Sequence, residues 1–282
     1  MKSKLIADAG STNIEWVLVD AEGNVVQSLV TEGLNALISP QDDMEKAFQN
    51  TRGLLAKDIP VDEIHYYGAG CATPQICEKV RMTLRSVWGD CLCEVNSDLL
   101  GAARSLLLNR KGVACIMGTG SNSCLFDGNM IVSHIPSLGY ILGDEGSGAV
   151  LGRRLLGDIL KRQLPDEICR EFMSEYDITL PEILDSVYRG SAPGRYLASF
   201  VPFLSKNLSS PPVCSIVRSE FTRFIERNVA MYNEAKSLEI CFTGSVAYNF
   251  EKILREVATS LGYSVSYVSR SPIDGLVRFH TM

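Results

Sequence analysis

Short apolar runs punctuated by turn residues open the chain. Positions 4–7, 15–19 and 25–30 read as three strands, and Asp20-Ala21-Glu22-Gly23-Asn24 supplies the turn between the second and third. A helical period follows from 40 to about 56, with Ser39 as its expected N-cap. Residues 63–67 predict a strand ending in Gly68-Ala69-Gly70, 74–85 a helix, 91–95 a short strand and 97–108 a helix. The order β-β-β-α-β-α-β-α predicts a mixed sheet with helices on its faces.

From Gly112 the pattern restarts. Strands at 113–117, 123–126 and 130–134, with the turn Asp127-Gly128-Asn129, repeat the opening three-strand meander. Helical periods then dominate, at about 147–162, 166–175, 181–189, 195–207 and 212–235. A strand at 238–242, a Gly-led helix at 244–261 and a strand at 264–268 close the pattern. The second half therefore reads as a copy of the first with a helical insertion. The expected domains are 1–109 and 110–282, with the insertion at about 147–235.

Each half carries one strand that breaks into small, hydroxylated residues. The first is IADAGSTN at 6–13, and the second is VACIMGTGSN at 113–122. Glycine lets a backbone approach a ligand closely. Bared N–H groups and hydroxyls in such a turn suit phosphate oxygens. A strand followed by a plain Gly-rich hairpin gives a similar string, but two such turns suggest a nucleotide clamped from two sides, in the cleft between the halves.

Composition narrows the classes. The chain has 282 residues, 46% hydrophobic and 21% charged, with a net charge of -6. The acidic balance argues against nucleic acid or an anionic membrane as main partner. No run approaches the 18 or so apolar residues of a membrane span. The start, MKSKLIADAG, is too short for a secretory apolar region, so the expected location is cytoplasmic. Nine cysteines, at 71, 77, 91, 93, 115, 124, 169, 214 and 241, include no CxxC and read as reduced thiols rather than a disulfide or zinc framework. The three histidines, at 65, 134 and 280, show no ligand spacing.

These motifs together resemble the actin-like ATPase fold, and within it the N-acetylglucosamine kinase branch of the BadF/BadG-type ATPase family. The resemblance spans nearly the whole chain. It rests on Asp8-Ala9-Gly10-Ser11-Thr12 as a first phosphate loop, Gly118-Thr119-Gly120-Ser121-Asn122 as a second, and Asp98 at a helix start. Gly143-Asp144-Glu145-Gly146 opens the helical insertion, and Phe242-Thr243-Gly244-Ser245-Val246 resembles an adenosine motif. GTGSN combined with GDEG is the specific part. The fold so implied is α/β, with two duplicated ribonuclease H-like domains, each on a mixed five-stranded sheet. Three features depart from the pattern: Ala9 and Ser11 stand where glycines are frequent, Thr243 replaces a glycine, and the chain past Pro272-Ile273-Asp274-Gly275 leaves little room for a closing helix.

The resemblance implies an ATP-dependent amino-sugar kinase, most simply one phosphorylating N-acetylglucosamine at its 6-hydroxyl, with ATP and Mg2+. Asp98 is then the base for the attacking hydroxyl, although a first-turn helix Asp would occupy the same position. Asp8 would hold Mg2+ through water, with an Asx-turn as its alternative. Gly10, Ser11, Thr12 and Asn13 and, from the other side, Gly118, Thr119 and Gly120 would contact phosphates. Gly244 and Ser245 would do so on the adenosine side, unless they form an ordinary strand–helix turn. The sugar would meet Asn35, Ser121, Asn122, Gly139 and Asp144, with Glu145 in support. Asn35 also suits a turn, and Asp144 and Glu145 also suit a helix N-terminus. Trp16 and Trp88 read as core.

Three alternatives stay open: a kinase for another sugar such as N-acetylmuramic acid, a dehydratase-activator-like ATPase with an iron–sulfur cluster, and a sugar-responsive regulator. The activator branch usually has a lysine where Glu15 stands. The expected partner is a small-molecule sugar, without nucleic acid or membrane, and the reading leaves room for a homodimer.

Overall fold

The computed structural model describes residues 2–282. The chain forms two compact units. The first comprises Met1–Asn109, Gly128–Met130 and Ser271–Met282, and the second Arg110–Asp127 and Ile131–Arg270.

The first unit contains β1 (Lys4–Ala9), β2 (Asn13–Val19), β3 (Val25–Glu32), α1 (Gln41–Leu54), β4 (Glu63–Gly68), α2 (Pro74–Trp88), β5 (Leu92–Ser97) and α3 (Asp98–Leu107). Its sheet runs β3-β2-β1-β4-β5, antiparallel across the first three strands and parallel from β1 through β5. Strand alternation sorts the side chains. Leu5, Ala7, Ala9, Trp16 and Tyr66 join the core with Met44 and Phe48 of α1 and Val80 and Leu84 of α2. Ile6, Val17, Val19 and Tyr67 point to the opposite face. Helix α2 starts on Thr73, whose hydroxyl accepts the Ile76 N–H, with Pro74 in the first turn. Helix α1 is preceded by Pro40 with no side-chain cap, so Ser39 does not take the role its residue type predicted.

The second unit contains β6 (Gly112–Met117), β7 (Ser121–Phe126), β8 (Ile131–Ile135), α4 (Gly139–Leu142), α5 (Gly148–Leu160), α6 (Asp166–Tyr176), α7 (Leu180–Tyr188), α8 (Pro193–Ala198), α9 (Val201–Lys206) and α10 (Pro211–Arg227). It closes with β9 (Glu239–Thr243), α11 (Ser245–Asn249), α12 (Glu251–Ser260) and β10 (Val265–Ser269). The sheet order β10-β9-β6-β7-β8 reproduces the first sheet strand for strand. The expected helix at 212–235 ends at Arg227 and gives way to two single 3-10 turns, and the Gly-led helix breaks at Phe250.

One expectation is corrected at the C-terminus. A closing helix is present, α13 (Ile273–Thr281). It groups with the first unit. Ile273 and Leu276 pack with Ile6, Val17 and Tyr67. Gly275 sits so close to α3 that a Cβ there would lie 2.2 Å from the Ser105 hydroxyl oxygen.

Candidate active site

In the first unit, β1 and β2 meet in a tight hairpin whose Gly10 N–H donates to the Asn13 carbonyl at 3.0 Å. The segment after β3 braces this hairpin: Gly33 N–H donates to Thr12 O at 3.0 Å and Leu34 N–H to Gly10 O at 3.1 Å. A Cβ on Gly33 would stand 2.4 Å from the Thr12 backbone carbon, so only glycine permits the approach. Ser11, Thr12 and Asn13 are exposed. Asn35 comes to the same place. Its Nδ2 lies 3.5 Å from Ser11 Oγ, and its Oδ1 accepts the Leu37 N–H, so the turn role and proximity to the hairpin coincide.

Asp8 stands one residue before the end of β1, and Asp98 is the first residue of α3, directly past the end of β5. The Ser97 hydroxyl caps α3 by accepting the Leu100 N–H, while Asp98 Oδ1 accepts the Leu99 N–H at 2.8 Å. A helix N-terminus favours the ionised carboxylate, yet burial outweighs this and pushes the Asp98 carboxyl up to about 6. Burial first, then the charges of Asp98 and Glu15, pushes Asp8 up to about 8. Carboxylate oxygens that crowd one another are hard donors suited to a divalent cation. Among the described residues no group of three or more His, Cys, Asp or Glu is gathered as a metal cage.

In the second unit the β6–β7 hairpin closes with Gly118 N–H donating to Gly120 O at 2.9 Å. Its support comes from α5. Gly148 N–H donates to Gly118 O at 2.7 Å, and Ala149 N–H to Thr119 O at 3.0 Å. Those helix N–H groups are thereby satisfied by the loop itself.

Asp144 adopts a left-handed backbone, φ 53°, as does Leu138, φ 66°. Non-glycine residues rarely do so, and such strain concentrates at functional positions. Burial pushes the Asp144 carboxyl up to about 6 and the Glu145 charge adds to this, while the Ser121 and Gly139 N–H groups donate to it and pull the other way. A Cβ on Gly120 would lie 3.0 Å from Asp144 Oδ2, so loop and carboxylate adjoin.

Ser121 is buried, and its hydroxyl donates to Glu145 O at 2.8 Å. Asn122 Oδ1 accepts the Ser123 N–H at 2.9 Å and lies 3.1 Å from His134 Nε2. Glu145 is buried and pairs with Arg227 Nε at 2.5 Å. Gly244, φ 117°, tucks under β6, where a Cβ would meet Met117 O at 2.4 Å, and Ser245 beyond it is exposed. The Thr243 hydroxyl accepts from Ser269 at 2.9 Å. Cys115 and Cys124, which flank the second loop, are buried and their thiols are pushed up by burial, the latter to about 12.

The first unit thus brings together Asp8, Asp98, Asn35 and residues 10–13, and the second gathers Asp144, Gly139, Ser121, Asn122 and residues 118–120. The motif reading passed over three residues. Glu15 is the register partner of Asp8, and its signals were a charge within an otherwise apolar strand and its place where the activator branch usually has a lysine. His134 and Arg227 carried no local signal, because each meets its partner from a distant element.

No protein-family model and no curated protein matches the chain. Solved structures do. A protein of Porphyromonas gingivalis described as a "putative N-acetylglucosamine kinase" is 41% identical, covering 98% of each chain with a TM-score of 0.93. One of the same description from Chromobacterium violaceum shares 16% identity over 99% of each chain, TM-score 0.76. A ROK family glucokinase from Streptomyces griseus, solved with glucose and AMPPNP, shares 14% over 98% of this chain and 97% of its own, TM-score 0.62. The last two show the fold alone. With the first relative's identity over nearly its full length, the chain belongs to the N-acetylglucosamine kinase-like family of ATP-dependent sugar kinases with the actin-like ATPase fold.

Proposed function

We propose that the protein transfers the γ-phosphoryl group of Mg-ATP to the 6-hydroxyl of N-acetylglucosamine. The observation that carries this reading is Asp98, a carboxyl at a helix start that burial holds near 6. A base is most effective when its pKa lies near the working pH, and such a group is typically worth about 10²–10⁴ in rate. Asp98 takes the proton of the attacking sugar hydroxyl. Asp8 holds Mg2+ through water, and the crowding of Asp8, Glu15 and Asp98 supports that assignment. The cation, when bound, neutralises phosphate charge. Mg2+ is usually held by one or two carboxylates plus phosphates and water, so a complete protein cage is not required.

Residues 10–13 and Gly118, Thr119 and Gly120 donate to phosphate oxygens, and Gly244 and Ser245 to the adenosine side. Asn35, Asn122 and Asp144 read sugar hydroxyls through directional donors and acceptors, and Gly139 lines the pocket through its backbone. The Ser121 hydroxyl, engaged with Glu145, serves this site by holding the Asp144 turn in place. The protein acts in the cytoplasm on a small-molecule sugar, without nucleic acid or membrane. No helix among the described residues is long and apolar enough to cross a bilayer.

The test is ADP release with Mg-ATP and N-acetylglucosamine, N-acetylmuramic acid, glucosamine, N-acetylmannosamine or glucose. Turnover is expected with N-acetylglucosamine and lost in Asp98→Asn, with the product's phosphate located on O6 by NMR. Hydrolysis indifferent to every sugar would overturn the reading.

A further inference from the structure

Asp8 on β1 and Glu15 on β2 are direct register partners, and such partners project from the same face of an antiparallel pair. Ile6 and Val17, which share that face by alternation, pack against Ile273 and Leu276 of α13. Like charges placed opposite each other destabilise a strand pair. The charged groups that act on Asp8 are both carboxylates, Asp98 and Glu15. Repulsion alone would turn the Glu15 side chain away, but it is pinned. The Ser271 hydroxyl donates to Glu15 Oε2 at 2.8 Å and accepts the Ile273 N–H at 3.2 Å, where the chain enters α13. A carboxylate held beside another at an energetic cost marks a place where positive charge is wanted.

We propose that Glu15 is a positioning residue for the cation that accompanies the nucleotide, its carboxylate pinned by Ser271 to add outer-shell charge behind Asp8. The inference rests on the reading of Asp8 as the cation-holding residue. Glu15 acts through Asp8 and the water around it rather than on substrate. A side chain that orients and charges a metal ligand from behind typically changes metal affinity about 10–100-fold when altered.

The experiment measures Mn2+ binding in the presence of ADP, by the electron paramagnetic resonance of free Mn2+, for the wild type, Glu15→Gln and Ser271→Ala. Glutamine keeps the length and an oxygen for Ser271 while removing the charge. Glu15→Gln is expected to weaken Mn2+ binding about tenfold or more, with a matching rise in the Mg2+ needed for turnover and an unchanged sugar KM. Ser271→Ala, which keeps the charge but loosens it, is expected to cost about threefold. Equal Mn2+ affinity in the wild type and Glu15→Gln would overturn this inference and leave the kinase reading intact. A wild type that binds no Mn-ADP would overturn both. Should Glu15→Gln fail to fold, Ser271→Ala decides alone, and an unchanged affinity there overturns the proposal.

Discussion

The two glycine hairpins are alike in sequence and in strand topology, yet they are supported and charged in different ways. The first is braced by the backbone of Gly33 and Leu34 and backed by the facing pair Asp8 and Glu15. The second is braced by the N-terminus of α5, and the pair at the corresponding place is Ile116 and Asn122. Duplication supplied the same frame twice, and only the first copy carries a facing carboxylate pair within the hairpin strands. The first hairpin stands beside carboxyl groups held up by burial, Asp8 at about 8 and Asp98 at about 6. The second stands beside a single such group, Asp144. On the proposed function, proton and cation handling would fall to the first unit and sugar reading chiefly to the second.

The largest expected effect tests that division directly. Asp98→Asn should lower kcat by about 10²–10⁴ while nucleotide binding, followed by calorimetry, is retained. Asp144→Asn should instead raise the sugar KM more than it lowers kcat. If both variants behaved alike, the two units would not be divided in role.

Asp8→Asn should remove Mg2+-dependent turnover and also stabilise the protein. The Asp8 pKa is raised from 3.8 to about 8, so its contribution to stability is present below pH 4 and is lost as pH rises toward 8. Without nucleotide or divalent cations, the Tm of Asp8→Asn should exceed the wild type by a few degrees at pH 8, and the difference should vanish near pH 4. A gain in stability with a loss of activity is the usual mark of a strained functional group.

The bracing of the hairpins can be separated by two substitutions. A Cβ on Gly33 would meet the Thr12 backbone carbon at 2.4 Å, whereas one on Gly148 would meet Ala198 Cβ at 3.1 Å and Gly118 O at 3.2 Å. Gly33→Ala must move the first hairpin and should raise the ATP KM about tenfold to a hundredfold. Gly148→Ala asks its neighbours to give by only tenths of an ångström and should raise it clearly less. Equal effects would mean that the two supports are equivalent.

The smallest effect is in the pH profile. With Mg2+ saturating, so that the bound cation keeps Asp8 ionised, and with Asp98 required as a base, kcat/KM should rise about tenfold per unit up to pH 6 and level off above it. Asp144 titrates in the same range, so the acid limb should be steeper than one proton and return to a single-proton slope in Asp144→Asn.

Much of this was legible along the chain, because strand alternation, turn chemistry and cap residues are local properties. The repeated meander announces two sheets of one design, and 118–122 together with 143–146 point to the family from sequence. Where the reading failed, the cause was a partner far along the chain. The closing helix could not be assigned to the first unit from sequence, because Gly275 meets Ser105 and Leu276 meets Ile6 only after folding. Glu15 looked like one charge in a strand, since Ser271 lies 256 residues away. The sequence by itself determined most of the elements, the two glycine hairpins and the identity of the acids. Only the tertiary structure decided which acids have their pKa raised and what holds each loop, because burial and charge neighbours are properties of packing, and packing joins residues that the chain keeps apart.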